Sequence, residues 1–258
     1  MAIARRDVLK GTLATVASRA LGAPARRVLG LIAPVDVAVP PEAGLLYPGV
    51  RFEGRGLGLR TMTPEGYDQV LERISPAAVA LAAAGAEALV LMGTSLSFYR
   101  GAGFNRELTR RMRAAAGRPA VTMSTAVCDA LRSVGARRLA VATAYDAEVN
   151  RRLQRFLYAE GFSVRAIRGL DIERVEDITS VTQAGLLRFS AAVYRSARAA
   201  DALLISCGGL HTLDLLAPLE SRCGVPVVSS LPHALWAGVR LLGLSGRVPG
   251  YGRVLAQA

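Results

Sequence analysis

The sequence predicts an α/β fold of two pseudo-symmetric, Rossmann-like lobes, each a parallel sheet covered by helices, with the active site in the cleft between them. Two observations lead there. Short apolar segments of strand length alternate with amphipathic segments of helix length. The chain also repeats itself. Ala200-Asp201-Ala202-Leu203-Leu204-Ile205-Ser206-Cys207-Gly208-Gly209-Leu210 aligns without gaps on Ala86-Glu87-Ala88-Leu89-Val90-Leu91-Met92-Gly93-Thr94-Ser95-Leu96, which sets Cys207 opposite Gly93. Gly117-Arg118-Pro119-Ala120-Val121 resembles Gly224-Val225-Pro226-Val227-Val228, and residues 27–31 resemble residues 138–142 more weakly. A duplicated unit carries different chemistry at equivalent strand ends, and open α/β sheets bind ligands at the carboxyl ends of their strands.

The first 25 residues are set apart by composition. Arg5-Arg6, a weakly apolar run to Leu21 interrupted by Arg19, and Ala23-Pro24-Ala25 resemble a twin-arginine export signal. That pattern predicts a periplasmic protein; the alternative is a basic extension on a cytoplasmic one. No run approaches the roughly 20 apolar residues of a membrane span. Residues 26–258 then form the duplicated unit as two interleaved lobes, roughly 27–125 plus the C-terminal helix, and 126–230.

Residues 28–33 read as a strand ended by Pro34. The Gly/Pro-containing stretch 35–59 is expected to be a long loop, and loops of that length usually carry function. Thr63-Pro64-Glu65 is a helix start, with a capping hydroxyl before a proline in the first turn; the helix should run towards Gly85 with a break at Ser75-Pro76. A strand at 89–92 leads into a loop at 93–101. Helices at 105–116 and 124–134 flank a strand at 120–123. A strand at 139–143 precedes a helix capped by Asp146 and reaching Gly161, and 163–167 is strand-like. After a short connection at 171–180, a helix at 183–199 leads to the strand ending at Cys207. A helix at 212–222, a strand at 225–229 and a last helix through Trp236 complete the alternation.

Composition removes several classes of function. The net charge of +12 comes from scattered arginines with no basic run interleaved with aromatics, so a solvated arginine-rich surface is expected and nucleic acid is not. Lys10 is the only lysine and lies in the export-like segment, which leaves no amine for Schiff-base or pyridoxal chemistry. Three cysteines and two histidines show no metal-ligand spacing, so neither a metal nor another cofactor is expected. Cys128 and Cys223 fall on apolar helical segments and read as core. His211, four residues after Cys207, reads as a solvated first-turn residue, and His233 as a surface residue.

The strand ends Cys207-Gly208-Gly209 and Gly93-Thr94-Ser95, the long run from Met92 to Gly101, and Thr63-Pro64-Glu65-Gly66-Tyr67-Asp68 carry a resemblance to a known family. So do Thr122-Met123-Ser124-Thr125-Ala126, Ala142-Thr143-Ala144-Tyr145 and Pro249-Gly250-Tyr251-Gly252-Arg253. Together they span nearly all of the chain from Arg27 onwards. This layout resembles the aspartate/glutamate racemase superfamily and, within it, the arylmalonate decarboxylase family, near the maleate cis-trans isomerases. The resemblance implies a cofactor-free carboxy-lyase, acting through an enediolate held by Thr94, Ser95, Tyr145 and the N–H of Gly208, with Cys207 giving the proton. It implies a small-molecule dicarboxylate substrate, a monomer, and a pocket lined by Pro34, Leu59, Met62, Tyr67, Leu96, Val175, Ile178 and Gly209. The chain departs from the pattern at Val35, Arg60 and residues 36–42.

Chemistry supports the same residues independently. Loss of carbon dioxide from a malonate puts negative charge on two oxygens, which preorganised hydroxyls and backbone N–H groups stabilise. The acid that protonates the carbanion must stay protonated at rest, unlike a cysteine nucleophile. Gly93 separates the relatives: racemases and maleate isomerases of this superfamily place a second cysteine at that strand end, and glycine supplies no group there. Taken singly, these residues have plainer readings. Cys207 alone reads sooner as a buried structural cysteine; Thr94 and Ser95 have an alternative as helix caps, and Tyr145 as a core aromatic. The alternatives to a decarboxylase are a maleate isomerase-like or racemase-like enzyme, and an exported carboxylate-binding protein without turnover.

Overall fold

The computed structural model describes residues 26–36 and 39–257. The export-like segment 1–25, with Lys10, and the loop residues Val37 and Ala38 lie outside the described residues.

In the first lobe the chain runs β1 (Val28–Ala33), α1 (Pro41–Leu46), β2 (Arg51–Gly56), α2 (Pro64–Val70), α3 (Ile74–Ala83), β3 (Ala88–Leu91), α4 (Thr94–Phe98), α5 (Ala102–Ala116) and β4 (Ala120–Thr122). Helix α6 (Met123–Ser133) leads into the second lobe, which runs β5 (Arg138–Thr143), α7 (Ala147–Ala159), β6 (Ser163–Gly169), α8 (Gln183–Ser196), β7 (Ala202–Ser206), α9 (Leu216–Cys223) and β8 (Val227–Ser229). Helices α10 (Ser230–Leu241) and α11 (Arg253–Ala256) close the chain.

Both sheets are parallel and have the same order, β2-β1-β3-β4 and β6-β5-β7-β8. The three sequence echoes therefore fall on equivalent strands: β1 on β5, β3 on β7, β4 on β8. The central strands β1, β3 and β7 are buried along their whole length, and β5 all but its first residue, Arg138, as strands covered by helices on both faces must be. Thr63, Thr122, Asp146 and Thr182 cap α2, α6, α7 and α8 with side-chain oxygens that accept from backbone N–H groups three residues on.

Four expectations change. The stretch 35–59 is not one loop but holds α1 and β2. Strand β2 escaped notice because Arg51-Phe52-Glu53-Gly54-Arg55-Gly56 is an edge strand, only partly buried and without an apolar run. Residues 93–101 include the short helix α4. The break after α2 is a tight turn at Leu71–Arg73, and Pro76 sits in the first turn of α3, where its missing N–H leaves no bond unmade. His233 is buried rather than at the surface. Its Nδ1 lies 2.8 Å from the carbonyl oxygen of Ser229, and burial pushes the ring down to about 4, so it is neutral.

The two lobes are tied by exchange of helices. Helix α10 leaves the second sheet and packs against α6, β3 and β4 of the first. Phe98 at the end of α4 packs on Tyr145 and Phe156 of the second lobe, with ring centroids 5.8 and 6.0 Å away. Across the cleft, the N–H of Met62 donates to Glu173 O at 2.8 Å and that of Val175 to Arg60 O at 3.1 Å, an antiparallel bridge around Thr61 and Arg174. Among the described residues no helix is long and apolar enough to cross a membrane.

Gly238 is where α10 meets the first sheet. A Cβ there would lie 2.5 Å from Val90 Cγ2 and 2.7 Å from Leu29 Cδ2. Overpacking costs about 1–3 kcal/mol, whereas leaving glycine in a helix gains at most about 1 kcal/mol. Gly238→Val is therefore expected to lower the thermal midpoint, by roughly 2–4 °C per kcal/mol lost in a chain of this size; an unchanged midpoint in a thermal melt would contradict this contact.

Candidate active site

A cleft of about 270 Å³ opens where the carboxyl ends of the two sheets face each other. β1 delivers Pro34 to it, β3 delivers Gly93, Thr94 and Ser95, the segment after β5 delivers Tyr145, and β7 delivers Cys207, Gly208 and Gly209. Because strand order is the same in both sheets, residues that the internal repeat aligns meet here from opposite sides. Leu59 and Met62, with Val175 and Ile178, come from the two crossing segments bridged at Thr61 and Arg174 and form an apolar wall. Arg60, between Leu59 and the bridge, turns its side chain to solvent and is not part of the lining.

Tyr67 and Leu96 do not line the cleft, contrary to expectation. Tyr67 is fully buried, its ring 4.9 Å from that of Tyr99; its hydroxyl makes no full hydrogen bond but lies beside Ser95, with Tyr145 and Cys207 nearby, and burial raises it well above the ordinary phenol value. Leu96 follows Ser95 on α4 and is turned about 100° from it. It packs under Gly93, where an added Cβ would come within 3.0 Å of Leu96 Cβ and 2.8 Å of Pro34 Cγ. Gly93 is thus a place where a side chain cannot enter without moving Pro34, as well as one that lacks a reactive group.

The donor side is tightly held. Ser97 Oγ donates to the carbonyl oxygens of Gly93 (2.8 Å) and Thr94 (3.0 Å), and Ser124 Oγ donates to Thr94 O at 2.9 Å. Thr94 Oγ donates to Ser230 Oγ at 2.8 Å and lies 3.0 Å from Met123 Sδ. Ser230 Oγ also accepts from the N–H of Cys207 at 3.2 Å. One hydroxyl on α10 thereby links the end of β3 to the end of β7. Tyr145 Oη is 3.4 Å from Ser206 Oγ, a weak contact that leaves its proton free to turn towards a ligand.

Burial sets the electrostatics. Cys207 is pushed up to about 11 by burial, which the N–H groups of Gly209 and Leu210 only partly offset. Its thiol is protonated at neutral pH. Burial, and then the neighbouring Cys207, raises Tyr145 well above the ordinary phenol value, so its hydroxyl remains a donor. His211 does not bind the thiol: it is exposed, and its Nδ1 lies 3.1 Å from Glu42 Oε1. Cys128 is buried and Cys223 partly so, both away from the cleft, and burial raises both thiols. Among the described residues no three His, Cys, Asp or Glu side chains cluster as a metal site would require.

Ser230, Met123 and Glu42 were missed from the sequence. The first two had a signal: extending the repeat two residues past Val121 and Val228 aligns Met123 with Ser230, each the first residue of the helix after the last strand of its lobe. Glu42 had none, because only the fold carries the segment after β1 to the mouth of the cleft.

A model of the arylmalonate decarboxylase family matches residues 29–255. The chain is 47% identical over 232 residues to an arylmalonate decarboxylase of Bordetella bronchiseptica, covering 87% of this chain and 97% of that one. A maleate isomerase of Nocardia farcinica is 27% identical over 243 residues, or 90% of this chain and 96% of that one. Among solved structures, unliganded arylmalonate decarboxylase superposes with a TM-score of 0.81 at 45% identity, covering 89% of this chain and 98% of that one.

A thiol held up to about 11 should alkylate slowly at neutral pH and faster as pH rises. Cys207 labelling by iodoacetamide, followed by peptide mass spectrometry, is expected to gain about tenfold per pH unit between pH 7 and 10. A rate that is flat across that window would mean a thiolate at rest.

Proposed function

The chain belongs to the arylmalonate decarboxylase family and is a carboxy-lyase; from that premise we propose that it decarboxylates α-substituted (aryl or alkenyl) malonates without a cofactor and gives one product enantiomer. The observation that carries this reading is a protonated thiol, Cys207, at one strand end, facing hydroxyl donors at the equivalent strand end, with no side chain at Gly93. A substrate carboxylate bound by Thr94, Ser95, Tyr145 and the Gly208 N–H is the one retained. The second carboxylate lies against Leu59, Met62, Val175 and Ile178, where an apolar wall disfavours its charge.

The bond from Cα to this second carboxylate breaks, carbon dioxide departs, and the electron pair passes through Cα onto the oxygens of the retained carboxylate. The donors strengthen their bonds as that enediolate forms, each worth about 2.7–4 kcal/mol in the barrier. Thr94 Oγ has its proton on Ser230 in the free site. Rotation of the two hydroxyls lets Ser230 donate to Thr94 and frees the Thr94 proton for the substrate, while the Cys207 N–H keeps Ser230 in place. Cys207 then transfers its proton to Cα, and the thiolate left behind is reprotonated from solvent. A thiol of high pKa is a weak acid in water, but the enediolate is far more basic, so the transfer runs downhill. Protonation comes from the β7 side only, because Gly93 offers no group on the other.

Purified protein is expected to release carbon dioxide from 2-methyl-2-phenylmalonate and to give one enantiomer, with Cys207→Ala abolishing turnover. Release that survives in Cys207→Ala would remove the thiol from its role; interconversion of diacids without gas would favour an isomerase. Thr94→Ala should lower kcat about 10²–10³-fold. Ser230→Ala should lower kcat with little change in KM, and Ser230→Thr should restore much of it; equal loss in both variants would point to packing instead.

A further inference from the structure

We propose that Glu42 makes the mouth of the cleft a site for α-substituents that carry an N–H or O–H donor, such as hydroxyaryl, aminoaryl or N–H heteroaryl groups, in preference to plain hydrocarbon ones. The proposal rests on the decarboxylase reading above and names the substrate class of that same site.

Glu42 is the second residue of α1, lines the cleft, and is only 8% exposed. One carboxylate oxygen, Oε1, lies 3.1 Å from His211 Nδ1. The other, Oε2, is buried and has no hydrogen-bond partner among the described residues. Three of the residues that line the cleft with it, Pro34, Pro40 and Pro41, have no N–H to give. A buried carboxylate oxygen left unpaired is costly, and a ligand that excludes water without replacing its hydrogen bond keeps that cost in the complex.

The rest of the cleft fixes which part of a substrate meets Glu42. The donors at the ends of β3 and β7 take one carboxylate, and the wall of Leu59, Met62, Val175 and Ile178 takes the other. A carboxylate of the substrate is repelled by that of Glu42, so neither faces it. The remaining sector of the lining is the half-exposed Pro34 and Val35, then Pro40, Pro41 and Glu42, with His211 at the rim. The α-substituent occupies this sector, and a hydroxyl, amine or ring N–H on it supplies the proton that Oε2 lacks.

The test compares kcat/KM for carbon dioxide release from 2-methyl-2-phenylmalonate with that from its meta- and para-hydroxy and meta- and para-amino derivatives, in the wild-type chain, Glu42→Gln and Glu42→Leu. At least one donor-bearing isomer is expected to exceed the plain phenyl substrate by about tenfold or more in the wild type. Glu42→Leu should erase that preference, bringing the ratio of donor-bearing to plain phenyl substrate down to about one or below. Glu42→Gln, which keeps an acceptor oxygen, should retain part of it. Ratios near one for every isomer, or a preference that persists in Glu42→Leu, would overturn the proposal. So would a Glu42→Leu protein slowed equally on all substrates. If no malonate releases gas, the decarboxylase reading fails instead. Calorimetric binding of the same panel to the wild type and Glu42→Leu then reads the preference directly, with a flat panel overturning it.

Discussion

Two parallel sheets must bring the ends of β3 and β7 together without a backbone hydrogen bond between them, and the hydroxyl of Ser230 makes that junction. It accepts from Thr94 of one lobe and from the Cys207 N–H of the other. Ser230 can do so because α10 leaves the second sheet and packs on the first, so its N-terminus lies between them. The close approach at Gly238 and the packing of Phe98 on Tyr145 and Phe156 hold that arrangement. Loosening this contact would move the thiol relative to the donors it must work with, and positioning errors of about 1 Å are costly in catalysis.

Burial gives the same elements their chemical character. Removing Cys207 and Tyr145 from water disfavours their charged forms, which keeps both the thiol and the phenol protonated at neutral pH. A charged residue beside the thiol would undo this. The nearest candidate in sequence, His211, is instead turned to the rim and bonded to Glu42. Low dielectric also strengthens each donor towards an anion forming in the site. The net charge of +12 adds a long-range attraction for anionic ligands without placing a fixed cation in the cleft lining.

The duplication explains how one scaffold holds unlike groups at like positions. Gly93 answers Cys207, Thr94 answers Gly208, and Met123 answers Ser230. The pairs Gly93/Cys207 and Met123/Ser230 set a polar group against an inert or space-filling one, and Thr94/Gly208 sets a side-chain hydroxyl against a bare backbone N–H. Met123 Sδ would lie 3.1 Å from a Cβ on Gly208, so the methionine packs the space that keeps this backbone N–H accessible. Symmetric strands thus produce an asymmetric site, as the proposed one-sided proton delivery requires.

The sequence by itself determined every strand but β2, the parallel character of the sheets and the residues at the ends of β3 and β7. These rest on local apolar runs, capping residues such as Thr63 and Asp146, and a repeat visible by eye. The repeat brings the ends at Gly93 and Cys207 to one cleft, and the resemblance to the decarboxylase family adds Thr94, Ser95, Tyr145 and Gly208 to it. Only the tertiary structure decided what lies behind and around them. Edge strand β2 has no apolar signature, and His233 owes its burial to the exchange of α10 between lobes. Leu96 retreats from the cleft because α4 turns it under Gly93, Tyr67 stands behind the lining with its hydroxyl beside Ser95, and Glu42 reaches the cleft from 165 positions before Cys207 in the chain. Contacts of that separation leave no local pattern, because they are set by how the two lobes pack and not by any neighbouring residue.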